Sequence, residues 1–278
     1  MSEKLTLGYS PCPNDTYIFY ALTHGRVALE GIEIAERLED VETLNRLALD
    51  AVLDLTKISY HALGHLRERY CLLRSGGALG RGCGPLVIAN EPTTMAALRG
   101  KRVAIPGRLT TANLLLQLYG AGYEQVVVLP FDRIMAALRD GRADAGVIIH
   151  ESRFTYLDSG FVEVCDLGAW WEAETGLPIP LGGILARRDL GAERIARIDA
   201  AVRDSLDYAR AHPDEPRHYI RRHAQEISES VTEQHIRLYV NDFSRDLGDE
   251  GVGAVEALLG RAEQRGLIPS SERPLFLS

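Results

Sequence analysis

A chain of 278 residues, of which 46% are hydrophobic and 25% charged, is long enough to bury one or two cores, and this composition excludes disordered and fibrous proteins. The formal net charge of -8 is spread along the chain, which argues against a nucleic-acid-binding surface and against a basic helix on a membrane. We therefore expect the partner to be a small molecule, and neither a nucleic acid nor a membrane.

The first part of the chain alternates between predicted strands and helices. Strands are predicted at residues 5–9, 32–38 and 51–55. The polar cluster Asn14-Asp15-Thr16 predicts the cap of a helix that runs to about His24, and Asp40 predicts the cap of a second helix. The third strand leads into residues 56–59 and a further short helix. This alternation indicates a parallel sheet covered by helices.

A Gly-rich segment at residues 76–85 separates this part from a second one of the same kind. The second part contains a strand at 86–89, a strand at 102–105, a helix at 110–119, a strand at 125–129, a helix at 132–140 and a strand at 143–149. Gly141 follows the second of these helices, as is typical of a helix C-terminus. The pattern therefore predicts a second α/β lobe.

The chain then returns to glycine and proline between Pro178 and Gly183, ahead of an apolar strand at 184–186. Two such crossings between two lobes indicate a hinge. We predict a first lobe of residues 1–90 and 178–278, with the helices after Gly191 packed on it, and a second lobe of residues 91–177. The predicted fold class is α/β, with two lobes, two hinge crossings and a ligand cleft that closes between the lobes.

In open α/β sheets, ligands bind beyond the carboxyl ends of the strands, so the junctions between strands and helices are the candidate sites. The helix N-termini at Asn14 and at Thr110-Thr111-Ala112 offer free amide N–H groups, which favour an anion such as a carboxylate. The alternative is that these residues only cap helices. Lys57 either points into such a site or is a solvated strand end. Ser59 is a helix cap as well as a candidate donor to a ligand.

His150 directly follows the apolar run of the last strand in the second lobe. With an ordinary pKa of about 6.5, an imidazole can accept a proton near neutral pH. A histidine in this position can also be a structural residue with satisfied hydrogen bonds. Its location at the edge of the predicted cleft favours a catalytic role.

Other patterns indicate chemistry less strongly. His61 and His65 have the spacing of metal ligands on a helix, but no HExxH pattern accompanies them, so we expect a solvated helix face. The four cysteines include no CxxC pair, and Cys12 has no visible partner that would lower the pKa of its thiol. Because the first residues also contain no apolar run of signal-peptide length, we expect a cytoplasmic protein.

Several longer segments lie at these same junctions. They are residues 10–16 (SPCPNDT), 39–45 (EDVETLN), 55–60 (LTKISY), 74–82 (RSGGALGRG) and 148–156 (IIHESRFTY), extended by 166–171 (DLGAWW) and 239–241 (YVN). In these segments the chain strongly resembles the 1,4-dihydroxy-6-naphthoate synthase family of the futalosine route to menaquinone. The resemblance covers nearly the whole chain.

The resemblance implies a periplasmic-binding-protein-like fold of type II and a lyase that converts cyclic dehypoxanthinylfutalosine into 1,4-dihydroxy-6-naphthoate by base-initiated carbon–carbon cleavage and aromatisation. It also implies that His150 is the proton acceptor, that Lys57-Ile58-Ser59 and Thr111-Ala112 contact a carboxylate substrate, and that no metal or organic cofactor is needed. Two alternatives stay open: a non-catalytic small-anion-binding protein, and chorismate dehydratase, the sister enzyme with the same architecture.

Overall fold

The computed structural model describes residues 3–224 and 228–277. The strands in chain order are β1 (Glu3–Tyr9), β2 (Ile32–Leu38), β3 (Leu55–Ser59), β4 (Tyr70–Leu72), β5 (Ala78–Gly80), β6 (Leu86–Ala89), β7 (Val103–Ile105), β8 (Val126–Val128), β9 (Ala145–Ile148), β10 (Val162–Asp166) and β11 (Ile179–Arg187). The α-helices are α1 (Pro13–Thr23), α2 (Val41–Leu49), α3 (Tyr60–Leu66), α4 (Thr111–Tyr119), α5 (Ile134–Arg139), α6 (Ser152–Thr155), α7 (Leu167–Thr175), α8 (Ala192–Ala211), α9 (Arg217–His223), α10 (Glu229–Tyr239), α11 (Asp242–Arg245) and α12 (Gly248–Gln264).

The first sheet has the strand order β2-β1-β3-β11-β4, and β5 pairs with another part of β11. Strand β1 is parallel to β2 and β3, as the β-α alternation predicts. Strand β11 is antiparallel to β3, β4 and β5, so the prediction of a parallel sheet is wrong for this half. The physical reason is that β11 comes from the other lobe and enters the sheet at the end where β3 leaves it, with Gly182 opposite Ser59.

The second sheet has the strand order β10-β6-β9-β7-β8. Strand β7 is parallel to β8 and β9, whereas β6 is antiparallel to β9 and β10. The first lobe was expected to extend to residue 90, but β6 pairs only with strands of the second sheet. The first crossing therefore lies before Leu86, because the glycines at 80–84 are the connection itself. The chain returns to the first sheet between α7 and β11.

Two boundaries near the cleft differ from the sequence-based prediction. Strand β3 begins at Leu55, where the predicted strand ended, because Ala51 adopts a left-handed φ of 53° and the chain turns after α2. Lys57 consequently lies inside a buried strand and not after it. Helix α1 begins at Pro13, a residue favoured at the first helical position, and Cys12 is its N-cap. Asn14 therefore lies inside the helix and does not cap it.

The predicted caps of two other helices are confirmed. The side chain of Asp40 accepts hydrogen bonds from the backbone N–H groups of Glu42 and Thr43 at the start of α2, at 2.9 and 3.3 Å. The Thr110 hydroxyl accepts from the backbone N–H of Asn113 at the start of α4, at 3.3 Å. Each bond satisfies a donor that the helix leaves unpaired, so the local sequence is sufficient to start these helices.

Buried side chains form a continuous core that reaches from one sheet to the other, with Ile58 and Tyr60 in the same cluster as Val87 and Trp171. Helix α8 packs on α1 of the first lobe, where the Ser205 hydroxyl of α8 accepts a hydrogen bond from the backbone N–H of Leu22 and donates one to the carbonyl of Ile18 in α1. Among the described residues, no helix has the length and apolar character needed to cross a membrane.

Gly84 in the first crossing packs directly against the backbone of Gly168 at the start of α7. A Cβ atom at Gly84 would lie 2.3 Å from the Gly168 Cα and 2.5 Å from its nitrogen, so one of the two segments would have to move. We expect Gly84→Ala to lower the free energy of unfolding by about 1–3 kcal/mol, measured by urea denaturation.

Gly253 in α12 is the matched control for this substitution, because a Cβ atom there meets nothing within 4 Å. Gly253→Ala should raise the free energy of unfolding by about 0.5–1 kcal/mol through the higher helix propensity of alanine. If Gly84→Ala and Gly253→Ala change the free energy of unfolding by the same amount, the close contact between Gly84 and Gly168 does not contribute to stability.

Candidate active site

A cavity lies between the two sheets, at the carboxyl ends of β3 and β9. The structure brings all eight candidate residues to its wall: Asn14, Lys57, Ile58, Ser59, Thr110, Thr111, Ala112 and His150. They come from four separate segments, which only the folded chain places together.

His150 lies just beyond the end of β9 and is half-buried in the cavity wall. Its backbone has a left-handed φ of 56°, which turns the chain away from the sheet. The ring lies 4.9 Å from that of Phe131 and 6.0 Å from that of His235, measured between centroids. Burial lowers the pKa of His150, an effect that the carboxylates of Glu151 and Asp15 partly oppose. The imidazole is therefore mainly neutral at neutral pH and able to accept a proton.

Arg153 fastens the loop that carries His150. Its guanidinium is 2.7 Å from an Asp166 carboxylate oxygen and also donates a hydrogen bond to the Gly84 carbonyl. Asp166 in turn accepts from the backbone N–H of Gly168 at 2.8 Å, as the N-cap of α7. These contacts connect the loop that carries His150 to the first crossing and to the start of α7.

Lys57 and Asp15 form a buried ion pair in the wall of the cavity, with 2.8 Å between Nζ and Oδ1. Asp15 also accepts hydrogen bonds from the Ser10 hydroxyl at 2.7 Å and from the Asn14 amide at 2.8 Å. The Lys57 ammonium donates to the Gly76 carbonyl at 3.1 Å. Lys57 is therefore not a solvated strand end. Since an ammonium group has three donors, one remains for a ligand.

Ser59 does not cap α3 with its side chain, contrary to one of the two expectations. Its backbone N–H donates to the Asn45 side chain at 2.9 Å, and its hydroxyl oxygen accepts from the same amide at 3.2 Å. The hydroxyl proton remains available for a ligand in the cavity. This arrangement fits the expected role of a donor.

The start of α4 forms another part of the wall. The Thr110 side chain satisfies one backbone donor, while the first-turn N–H groups of Thr111 and Ala112 have no acceptor within the helix because of their position. Both residues line the cavity. Together with the positive end of the helix dipole, these donors suit a carboxylate.

Direct hydrogen bonds join the lobes beside this helix. The Thr111 hydroxyl donates to the carbonyl of Leu181 in β11 at 2.7 Å. The carboxylate of Glu42 in α2 accepts from the backbone N–H groups of Arg108 and Leu109, at 2.9 and 3.1 Å. These hydrogen bonds connect the two lobes beside the cavity.

Two expectations about secondary sites have different outcomes. His61 is buried and not on a solvated face, with its Nδ1 3.3 Å from the Thr110 carbonyl oxygen, and burial lowers its pKa to about 4. His65 is exposed, as expected. Burial has the largest effect on the Cys12 thiol and raises its pKa well above the ordinary value, but Ser10 and Lys57 each lower this pKa, contrary to the expectation that it has no such partner.

The sequence-based prediction missed other residues at the site. Leu181, Gly182 and Tyr239 line the cavity, and His235 lies directly behind His150. Asp15 was considered only as part of a helix cap. The segment at 239–241 was the single signal near Tyr239, and no local pattern distinguished His235, which follows His150 by 85 residues.

The chain is similar in sequence to proteins of known name. Residues 5–264 match a protein family described as menaquinone biosynthesis. The chain is 58% identical to a curated 1,4-dihydroxy-6-naphthoate synthase of Thermus thermophilus, over 99% of this chain and 100% of that protein. It is 46% identical to a synthase of the same name from Streptomyces coelicolor, over 97% and 96% of the two chains.

Solved structures of other proteins are also similar to this chain. A protein from Archaeoglobus fulgidus has 40% identity and a TM-score of 0.90, over 95% of this chain and 98% of that chain. The periplasmic aliphatic sulphonate binding protein of Escherichia coli has a TM-score of 0.66 at 14% identity, over 97% and 90% of the two chains. The second likeness shows the fold alone. The predicted periplasmic-binding-protein-like fold is confirmed.

Proposed function

The chain belongs to the menaquinone-biosynthesis family that includes the curated 1,4-dihydroxy-6-naphthoate synthases, and we propose that it converts cyclic dehypoxanthinylfutalosine into 1,4-dihydroxy-6-naphthoate with His150 as the base. The observation that carries the residue assignment is an imidazole in the wall of a cavity that also contains donors for a carboxylate, and burial lowers the pKa of this imidazole. The protein is therefore an enzyme of menaquinone biosynthesis, and its reaction class is that of a carbon–carbon lyase.

In the proposed mechanism, the substrate carboxylate binds to the N–H groups at Thr111 and Ala112 and to the remaining donor of Lys57. This contact places the carbocycle against His150, which removes a proton from carbon. The carbon–carbon bond to the sugar-derived portion then breaks, and formation of the aromatic naphthoate drives the cleavage. Ser59 and the helix N-terminus stabilise negative charge that develops on substrate oxygens.

Binding in the cleft must contribute much of the rate acceleration in this mechanism. General base catalysis contributes about 10²–10⁴-fold to a rate, so positioning and the exclusion of water must provide much of the remaining acceleration. The hydrogen bonds between Thr111 and Leu181, and between Glu42 and the segment before α4, supply that positioning when the lobes are closed. Substrate entry consequently requires the lobes to separate.

As the pH is lowered, the enzyme should lose activity only below the ordinary pKa of a histidine side chain. A protonated imidazole cannot act as a base, and burial lowers the pKa of His150 below its ordinary value of 6.5. We expect the acid limb of kcat/KM to have its midpoint below pH 6.5, when naphthoate formation is measured across a buffer series. A midpoint at or above the ordinary histidine value would contradict a buried, neutral base.

Mass spectrometry tests the proposed function directly. The purified protein is incubated separately with cyclic dehypoxanthinylfutalosine and with chorismate, and the products are identified. We expect 1,4-dihydroxy-6-naphthoate from the first compound and unchanged chorismate. Recovery of both compounds unchanged would favour the small-anion-binding protein, and conversion of chorismate would favour the sister enzyme. We place the reaction in the cytoplasm, which suits the four free cysteines of the chain.

A further inference from the structure

Tyr239 is the last residue of α10, and it lines the active-site cavity together with Cys83 and Gly84. The residue is buried, with 7% of its surface exposed. Within the described residues, its hydroxyl has no hydrogen-bond partner. The Tyr60 hydroxyl also has none, but Tyr60 is sealed off from open space and Tyr239 is not. The hydroxyl of Tyr239 therefore opens onto the cavity.

The other hydroxyl groups of the cavity wall are largely occupied. Five hydroxyl groups line the cavity. Those of Ser10, Thr110 and Thr111 already donate to protein oxygens, at 2.7, 2.8 and 2.7 Å. The hydroxyl of Ser59 is on strand β3, which also supplies the ammonium group for the substrate carboxylate. In the described part of the chain, Tyr239 is thus the one free hydroxyl donor of the wall that comes from outside β3.

A row of three rings places Tyr239 close to the base. The ring of His235 lies 4.6 Å from that of Tyr239 and 6.0 Å from that of His150, measured between centroids. The carbonyl of Tyr239 accepts a hydrogen bond from the Ser244 hydroxyl at 3.2 Å, which fastens the end of α10 to α11. The phenol is therefore held near the base, with one buried ring adjacent to both.

The product of the proposed reaction needs donors at two different places. In 1,4-dihydroxy-6-naphthoate, both hydroxyl groups are on one ring and the carboxylate is on the other. A carboxylate bound at the start of α4 and at Lys57 leaves the two oxygens of the reacting ring without these donors. When His150 removes a proton from carbon, the electron pair that is left behind moves towards such an oxygen. A donor at this oxygen stabilises the charge as it develops.

We propose that Tyr239 is a further catalytic residue, whose hydroxyl donates a hydrogen bond to one of the two oxygens on the ring that becomes aromatic. The inference rests on the proposed function. The proton from carbon goes to His150, the electron pair moves onto the ring oxygen, and the O–H bond of Tyr239 stays intact. The phenol thus stabilises an oxyanion without being ionised.

The surroundings of Tyr239 suit a donor. Burial, with a smaller contribution from Cys83, raises the pKa of the phenol, and the opposing effect of Arg153 is weaker. The hydroxyl therefore keeps its proton at neutral pH. A buried hydroxyl without a partner is unfavourable for the folded protein, and a ligand oxygen would remove this unfavourable contribution. Hydrogen bonds to a charged oxygen are about twice as strong as those between neutral groups, so the benefit increases as the reaction proceeds.

Kinetics of Tyr239→Phe test the proposal, because phenylalanine keeps the ring and removes only the hydroxyl. We expect kcat to fall by about 10²–10³-fold, as for the loss of one oxyanion donor, and KM to change much less. The acid limb of kcat/KM should keep its midpoint, since His150 remains the base. Tyr60→Phe is the matched control and should keep the wild-type kcat, because it removes a hydroxyl that is also unpartnered but does not line the cavity.

A binding experiment tests the same contact without turnover. Calorimetry under nitrogen compares 1,4-dihydroxy-6-naphthoate with 2-naphthoate, which has the same ring system and carboxylate but no hydroxyl groups. The preference of the wild type for the hydroxylated compound should fall by about fivefold in Tyr239→Phe, the effect of one lost hydrogen bond. The affinity for 2-naphthoate should be the same in wild type, Tyr239→Phe and Tyr60→Phe.

Several outcomes would overturn the proposal. An unchanged kcat in Tyr239→Phe would exclude a catalytic hydroxyl, and equal losses of affinity for the two naphthoates would show that Tyr239 acts on the carboxylate or on packing. A Tyr239→Phe variant that does not fold would also contradict it, because a hydroxyl without a protein partner should not be needed for folding. A wild type that makes no naphthoate, but prefers the hydroxylated compound through Tyr239, would refute the proposed function and not the contact.

Discussion

Replacement of His150 by asparagine is expected to lower kcat by about 10²–10⁴-fold while substrate still binds, because the variant loses the general base and little else. Asparagine is one of the few residues that tolerate the left-handed φ of 56° at this position, so the loop should keep its conformation. The measurements are the rate of naphthoate formation and the dissociation constant of the substrate by calorimetry.

His65→Asn is the matched control for this experiment. His65 is exposed on α3 and does not line the cavity, so this variant should retain wild-type turnover. Comparable product formation by His150→Asn and wild type would remove His150 from the mechanism. Loss of substrate binding together with turnover would instead indicate that the ring has its main role in binding.

Replacement of Lys57 by methionine is expected to destabilise the protein by about 3–5 kcal/mol and to weaken substrate binding. Lys57 and Asp15 are both almost completely buried, and their charged atoms are 2.8 Å apart. Removal of the ammonium group leaves an uncompensated carboxylate away from water and deletes the remaining donor for the substrate carboxylate. Urea denaturation measures the first effect and calorimetry the second.

A second substitution separates the two effects. Asp15→Asn combined with Lys57→Met removes the uncompensated charge, so much of the stability should return while substrate binding stays weak. Lys4→Met is the surface control: its ion pair with Glu33 is exposed and 3.8 Å long, and its loss should change stability by less than about 1 kcal/mol. Equal destabilisation in Lys4→Met and Lys57→Met would contradict the importance of burial.

Much of the fold could be predicted from local patterns. Alternating apolar residues identified β2, a continuous apolar run identified β6, and Asp40 and Thr110 identified the starts of two helices through bonds to neighbouring backbone groups. These features depend on residues within a few positions of one another. Sequence alone is therefore sufficient to predict them, and the segments that carry the family resemblance lie at the same junctions.

Errors arose where a residue depends on distant partners. The apolar run at 86–89 could not show that β6 pairs with β9 and β10, because a strand pattern does not specify its neighbours. The polar residues at 14–16 fit the composition of a helix cap, yet Asn14 bridges Asp15 and His235 inside the site. A cap and a buried network require the same residue types.

Sequence by itself determined that the chain alternates strands and helices, crosses twice between lobes and carries a histidine at the end of a strand. Only the tertiary structure decided that this histidine has Glu151 and His235 beside it, that Lys57 is paired with Asp15, and that Thr111 and Leu181 connect the lobes beside the cavity. The physical reason is that pKa values and buried charges depend on the distance to atoms that lie far away in the chain. Local periodicity contains no information on those distances.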